Sequence, residues 1–295
     1  METGFKTYHP IVNFYFFTAV VVFTMFSMHP IFLVVTLFAS FAYSVILDGT
    51  SAVKSNIKLI FFIVGLTSIL NPLFVHQGVT VLFYLNENAI TLEAILYGIA
   101  SGTMLVSVIM WVKCLNQIMT SDKVIYIFGR LFSSLSLAIS MSFRFIPLFK
   151  EQFKEISAGQ RNIGRDFSKG GIFKRAKQFM KEFSILVTWS MENSIETSDS
   201  MRARGYGLPN RSSFSIFRFD RRDGKTLTIM VLLSIVVIIG FFFGKNNIIY
   251  YPAIVADKIT LLSANIYLAY FILLMIPAAI ELLEEYRWRS LSSTM

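Results

Sequence analysis

Two arginine–glycine clusters, Arg202-Ala203-Arg204-Gly205 and Arg161-Asn162-Ile163-Gly164-Arg165, carry the most pointed chemistry in this 295-residue chain. Guanidinium forks bind: they pair with carboxylates or phosphates and can hydrogen-bond backbone carbonyls. Groups that make and break bonds are scarce by comparison. There is no Gly-x-x-x-x-Gly-Lys-Ser/Thr phosphate loop, so the chain is not expected to hydrolyse ATP itself. No Ser-His-Asp set or His-Glu-x-x-His helix is visible. His9, His29 and His76 lie near helix ends with no carboxylate at ligand spacing, so no metal site is expected. The lone Cys114 excludes a disulfide framework within one chain; at the end of an apolar run it reads as a small buried hydrophobe.

Each cluster sits where a helix must stop. Gly205 and Gly207 follow Arg204 at once, with Pro209 beyond. Glycine takes the left-handed cap conformation, and proline cannot continue a helix. Arg202 and Arg204 therefore belong to the last turn of a helix running from about Phe173. Gly164 is a second stop of the same kind, ending a helix that continues from Pro147 through Glu155 and Ile156. On the later helix Phe183, Val187, Met191, Ser194 and Ser198 recur at three- and four-residue steps, which predicts an apolar-to-small packing stripe.

Both helices fall within Arg144–Lys225, which holds 17 of the 27 Lys and Arg against nine Asp and Glu, or +8 of the chain's +9. So basic a block cannot sit inside a bilayer, and the positive-inside tendency places it in the cytoplasm. The rest is membrane-grade. At 55% hydrophobic, 15% charged and mean hydropathy +0.61, the chain is too apolar for a soluble domain of its length. Runs near the roughly 17–25 residues a crossing helix needs cover Ile11–Ser27, Ile31–Leu47, Leu59–Val75, Ala94–Val112, Leu227–Phe243 and Leu261–Ile280. The first lacks a basic start, and Met28-His29-Pro30 is not a small-residue cleavage site, so it is expected to remain as a span.

Lys54 and Lys58 separate the second and third runs, Lys113, Lys123 and Arg130 follow the fourth, and Val75–Glu93 has no Lys or Arg. A cytoplasmic N-terminus satisfies all of these loops. By parity, Val124–Phe149 should then lie in the interface rather than cross; it carries Arg130, Arg144 and five serines among its apolar residues. The expectation is an all-α polytopic membrane protein with six crossings and both termini cytoplasmic. Residues 1–119 would hold the N-terminal transmembrane helices, 120–225 the interfacial and cytoplasmic helices, and 226–295 a C-terminal transmembrane hairpin and tail. The crossings hold almost no ionisable residue, which disfavours a proton-coupled carrier. Asp48 and Glu93 sit at run ends, where solvation at the bilayer edge is the plain reading.

The residues alone leave three roles open for the arginines. Cations at a helix C-terminus offset the macrodipole without any partner. Basic residues near a membrane bind anionic lipid. Arginine forks also anchor protein interfaces. Nucleic acid is not an expected partner, because the aromatic residues are concentrated in the apolar runs.

Ser200-Met201-Arg202-Ala203-Arg204-Gly205-Tyr206-Gly207 resembles the signature closing the second coupling helix in T-subunits of energy-coupling factor transporters, the family that includes the cobalt-transport permeases. Other segments are similar in the same order: His29-Pro30, Asn71-Pro72-Leu73-Phe74, Gly78 to Phe83, Thr91 to Ala94, and Ser140 to Pro147. The resemblance implies a non-catalytic subunit of an ATP-driven importer for vitamins or metal ions, in a bacterial or archaeal cell membrane. Two cytoplasmic subunits would bind ATP and Mg, a small membrane S-subunit would bind the substrate, and this chain would need no cofactor of its own. Arg202, Ala203, Arg204 and Gly205, with Arg161, Gly164 and Arg165, would form the contact with the ATP-binding subunits. The chain departs from the family at Asn162 and Ile163, which stand where Ala and Arg are usual, leaving Arg161 or Arg165 to supply that charge. Two other classes stay open. A permease domain of a conventional ABC importer usually presents one short coupling helix, and a membrane scaffold would have no transport role.

Overall fold

The first two apolar runs become helices α1 (Pro10–Phe26) and α2 (Pro30–Asp48), and one device starts both. His9 and His29 are the N-caps, each Nδ1 accepting the backbone N–H two residues on at 3.3 Å. Pro10 and Pro30 follow at the first helical position, where a missing N–H costs nothing. A computed structural model describes all residues except 1–3, 86–87, 132, 165–170, 207–216, 244–247, 257–259 and 293–295. The described chain continues as α3 (Thr50–Phe74), a hairpin of β1 (Val81–Leu85) and β2 (Asn88–Thr91), α4 (Leu92–Ile118), α5 (Ser121–Leu131), α6 (Ser133–Asn162) and α7 (Ile172–Ala203). Helix α8 (Arg221–Phe242), two-residue strands β3 (Ile248–Ile249) and β4 (Val255–Ala256), and α9 (Leu261–Ser292) complete it.

Helices α2, α3, α4, α8 and α9 are long and apolar enough to cross a membrane, and α1 is a shorter apolar helix of 17 residues. This is an all-α polytopic membrane protein. The chain divides into two compact units: Met1–Val124 with Phe217–Met295, and Ile125–Ile216. The first is the helical bundle, cored by Phe5, Phe16, Phe17, Phe32, Tyr43, Trp111 and Tyr270. Several of its buried polar groups pair with one another, which offsets the cost of burial away from water. Trp111 Nε1 donates to Thr36 Oγ1 at 3.2 Å, and the Thr24 hydroxyl lies 3.1 Å from that of Thr36 and 3.4 Å from that of Tyr270. Cys114 is buried in this core.

Helix α3 packs chiefly on α4 through Gly98 and Gly102. A Cβ on Gly98 would meet the Thr67 carbonyl oxygen at 2.7 Å, and one on Gly102 the Val64 Cα at 2.9 Å. Small residues one turn apart let two helix backbones approach where lipid supplies no hydrophobic drive.

Two expectations change. The helix that ends at the first tip extends N-terminal to Pro147: α6 (Ser133–Asn162) runs through it. Proline forfeits one ladder bond, and here the Phe145 and Phe149 rings stack 5.7 Å apart on either side of it. Glu93 is not solvated: it is buried and accepts the Thr80 backbone N–H at 3.1 Å, closing the β1–β2 hairpin onto α4. Asp48 is tied to Lys113 at 2.5 Å.

Candidate functional site: two glycine-stopped helix tips

The second unit contains α6 and α7, which pair antiparallel. Phe153 meets Phe179 at 5.8 Å, Phe149 meets Trp189 edge-on at 6.1 Å, and Gln178 Nε2 donates to Gln160 Oε1 at 3.5 Å. Further along, Met141, Arg144, Phe145 and Leu148 of α6 face Asn193, Glu196, Thr197, Ser200, Met201 and the cap residue Arg204 across a cavity of about 340 Å³. The α7 positions that meet α6 or line this cavity are thus Gln178, Phe179, Trp189, Asn193, Glu196, Thr197, Ser200, Met201 and Arg204, a mixed polar and apolar stripe. The expected stripe points elsewhere: Phe183 is 48% exposed and Met191 67%. Glu182 is fully buried, and neither of its carboxylate oxygens has a hydrogen-bond partner among the described residues. An unpaired buried polar group opposes folding.

The end of α7 is a complete Schellman cap. Gly205 has φ +82°, the left-handed region that favours glycine. Its N–H donates to the Arg202 carbonyl at 3.0 Å, and the Tyr206 N–H reaches back to the Met201 carbonyl at 3.0 Å. Arg204 is the cap residue itself, its N–H shared between the Ser200 and Met201 carbonyls. Alanine is the last helical residue, arginine the cap and glycine the left-handed residue that follows. The order Ala-Arg-Gly is therefore the local solution to ending a helix with a cation at the cap position.

The end of α6 repeats the geometry with different side chains. Gly164 has φ +78°, and its N–H donates to the Arg161 carbonyl at 2.9 Å, as Gly205 does to Arg202. The pattern superposes Arg161 on Arg202, Asn162 on Ala203, Ile163 on Arg204 and Gly164 on Gly205. The cap position is thus arginine at one tip and isoleucine at the other. Arg165 lies outside the described residues. Arg161, Arg202 and Arg204 are all exposed, and no ion pair among the described residues involves Arg144, Glu196 or Arg204. Gln160 lies opposite Gln178, so the tips stand at opposite ends of the pair, roughly 40 Å apart at about 1.5 Å per residue.

The family model described as CbiQ, cobalt transport protein, matches residues 6–216. The chain belongs to this family. The match takes in both tips of the CbiQ-family chain and stops before α8. Among its relatives, the energy-coupling factor transporter transmembrane protein EcfT of Lactobacillus helveticus is 33% identical over 100 residues, 34% of this chain and 36% of that protein. The protein of the same name from Bacillus selenitireducens is 31% identical over 111 residues, 37% and 41% of the two chains. That from Staphylococcus aureus is 24% identical over 204 residues, 63% and 76%. The aligned stretch thus spans little more than a third of the first relative's length.

Sequence reasoning did not find Arg144, Asn193 and Glu196 as cavity-lining residues of this CbiQ-family protein. The signal was present: Trp189, Asn193, Glu196, Ser200 and Arg204 recur at four- and three-residue steps, one helix face ending on the cap arginine. Of the histidines, His9 and His29 have ordinary capping roles.

Proposed function

We propose that this protein is the energy-coupling transmembrane subunit of an ATP-driven importer of the energy-coupling factor type, with no catalytic chemistry of its own. One observation carries the reading: two glycine-stopped tips with matching backbone geometry stand at opposite ends of a single helix pair. A lever gripped at fixed points by two separate subunits needs this arrangement, since motion passes through packed elements with defined ends. In this reading two ATP-binding subunits receive the tips and bind ATP and Mg in the cytoplasm. A small membrane protein binds the vitamin or metal ion, and its identity sets the substrate. The exposed apolar face of α7, which includes Phe183, Val187 and Met191, is suited to lipid or to that membrane partner. The setting is the cell membrane of a bacterium or archaeon.

Copurification tests it. The tagged protein should retain two ATP-binding subunits and a small apolar membrane protein. Recovery with ATP-binding subunits but no third component would favour a conventional ABC permease domain, and recovery of neither a scaffold. In the same reading the tips and both termini are cytoplasmic. Cysteines at Lys174 and Arg161 should then react with an impermeant maleimide only from the cytoplasmic side, and cysteines at Tyr84 and Ile249 only from outside; all four positions are exposed. Labelling of Tyr84 and Lys174 from the same side would reverse or abolish this topology.

A further inference from the structure

The matched hydrogen-bond patterns make the two tips a controlled comparison, with one backbone geometry presenting two side-chain sets. At the level of Arg161 and Arg202 the charge is the same. One turn position on, at the cap, α7 presents the guanidinium of Arg204 and α6 the sec-butyl side chain of Ile163, which is 68% exposed. Arg161 therefore does not stand in for the missing cation, because it already has its counterpart in Arg202. A large aliphatic side chain held out at the cap position of a cationic tip gains when a partner removes it from water.

We infer that the groove receiving the first tip is apolar at its deepest point, whereas the groove receiving the second tip offers carboxylate or carbonyl acceptors there. This rests on the docking role proposed above. Grooves of one chemistry could not serve both tips. Acceptors shaped for a guanidinium would be buried unpaired against Ile163, and an unpaired buried acceptor costs more than an absent hydrogen bond. An apolar groove would in turn strip water from Arg204 without replacing it. The partner for the first tip is thus a protein surface lined by aliphatic or aromatic side chains at the cap contact, with acceptors kept for Arg161 at its rim.

The test is the binding of purified ATP-binding subunits to the full-length protein in lipid nanodiscs. The panel is Ile163→Leu, Ile163→Asp and Ile163→Arg, with Arg204→Ala as reference. Ile163 is exposed beyond the last helical turn, so these changes leave the helices intact. Ile163→Leu should bind within about threefold of the parent, while Ile163→Asp and Ile163→Arg each weaken binding by roughly tenfold or more, the loss expected for a desolvated anchor. Tighter or unchanged binding of Ile163→Arg would overturn the inference, because it would reveal acceptors waiting at the first groove. Unchanged binding of Ile163→Asp beside a weakened Arg204→Ala would also overturn it while leaving docking by the second tip standing. If Arg204→Ala binds normally as well, docking itself fails.

Discussion

Arg204→Ala is expected to leave the protein inserted and folded but to weaken its hold on the ATP-binding subunits about 30-fold or more, and to uncouple ATP hydrolysis from uptake. The figure follows from the difference between two fates for a guanidinium. An arginine that only offsets a helix dipole in water contributes about 0.3–1 kcal/mol. One that anchors a desolvated contact costs about 2 kcal/mol or more when truncated, and about 1.4 kcal/mol is a factor of ten. The cap itself should survive the change, because Gly205 and Tyr206 close it through backbone groups on Arg202 and Met201. Arg202→Ala should act in the same direction but less, since Arg202 lies within the last turn while Arg204 is the cap residue at the helix end. The checks are copurification yield, ATPase activity and substrate uptake in proteoliposomes. A full complex with parental ATPase activity and uptake would leave dipole capping as the explanation of Arg204.

The spans were legible in the sequence because a helix that faces lipid must be apolar along its whole length. The tips were legible because only glycine ends a helix cheaply in the left-handed conformation. The pairing of α6 with α7 was not. The rule that apolar positions mark the packed face holds where water is the alternative. On α7 the apolar residues Phe183 and Met191 face outward, while Phe179 and Trp189 meet α6 beside Gln178, and Asn193 and Glu196 line the cavity there. Pro147 misled for a related reason: proline disfavours a helix interior but does not end a 30-residue helix flanked by stacked rings. Glu93 looked like a surface group because nothing in its local sequence reveals that the chain from Gln77 to Thr80 folds back to meet it. The Gly98–Gly102 spacing was visible, yet a span apolar all round does not say which of its neighbours a small-residue face will meet.

That seam makes the sharpest stability prediction. The 18-residue window of α3 is buried over only 6% of its positions, against 39% for α2, α4 and α9, so α3 depends on its close approach to α4. At Gly98 both nearest atoms are backbone, the Thr67 carbonyl oxygen at 2.7 Å and the Ser68 Cα at 2.9 Å, and neither can rotate away. At Gly102 the nearest atom is the Thr67 hydroxyl at 2.2 Å, with the Val64 Cα behind it at 2.9 Å. Gly98→Ala should therefore destabilise the bundle by about 1–3 kcal/mol, the usual cost of an inserted methyl that the backbone must yield to, and Gly98→Leu by more. Thr67→Ala removes the first obstacle at Gly102 but none at Gly98, so it should recover part of the loss in Gly102→Ala and nothing in Gly98→Ala. The far end of α3 should stay attached, because Asn56 Nδ2 donates to the buried Ser44 hydroxyl at 2.9 Å and holds it to α2. Thermal unfolding in lipid nanodiscs reads the energies. If Gly98→Ala melts with the parent, α3 does not make this contact and its place in the bundle must be redrawn.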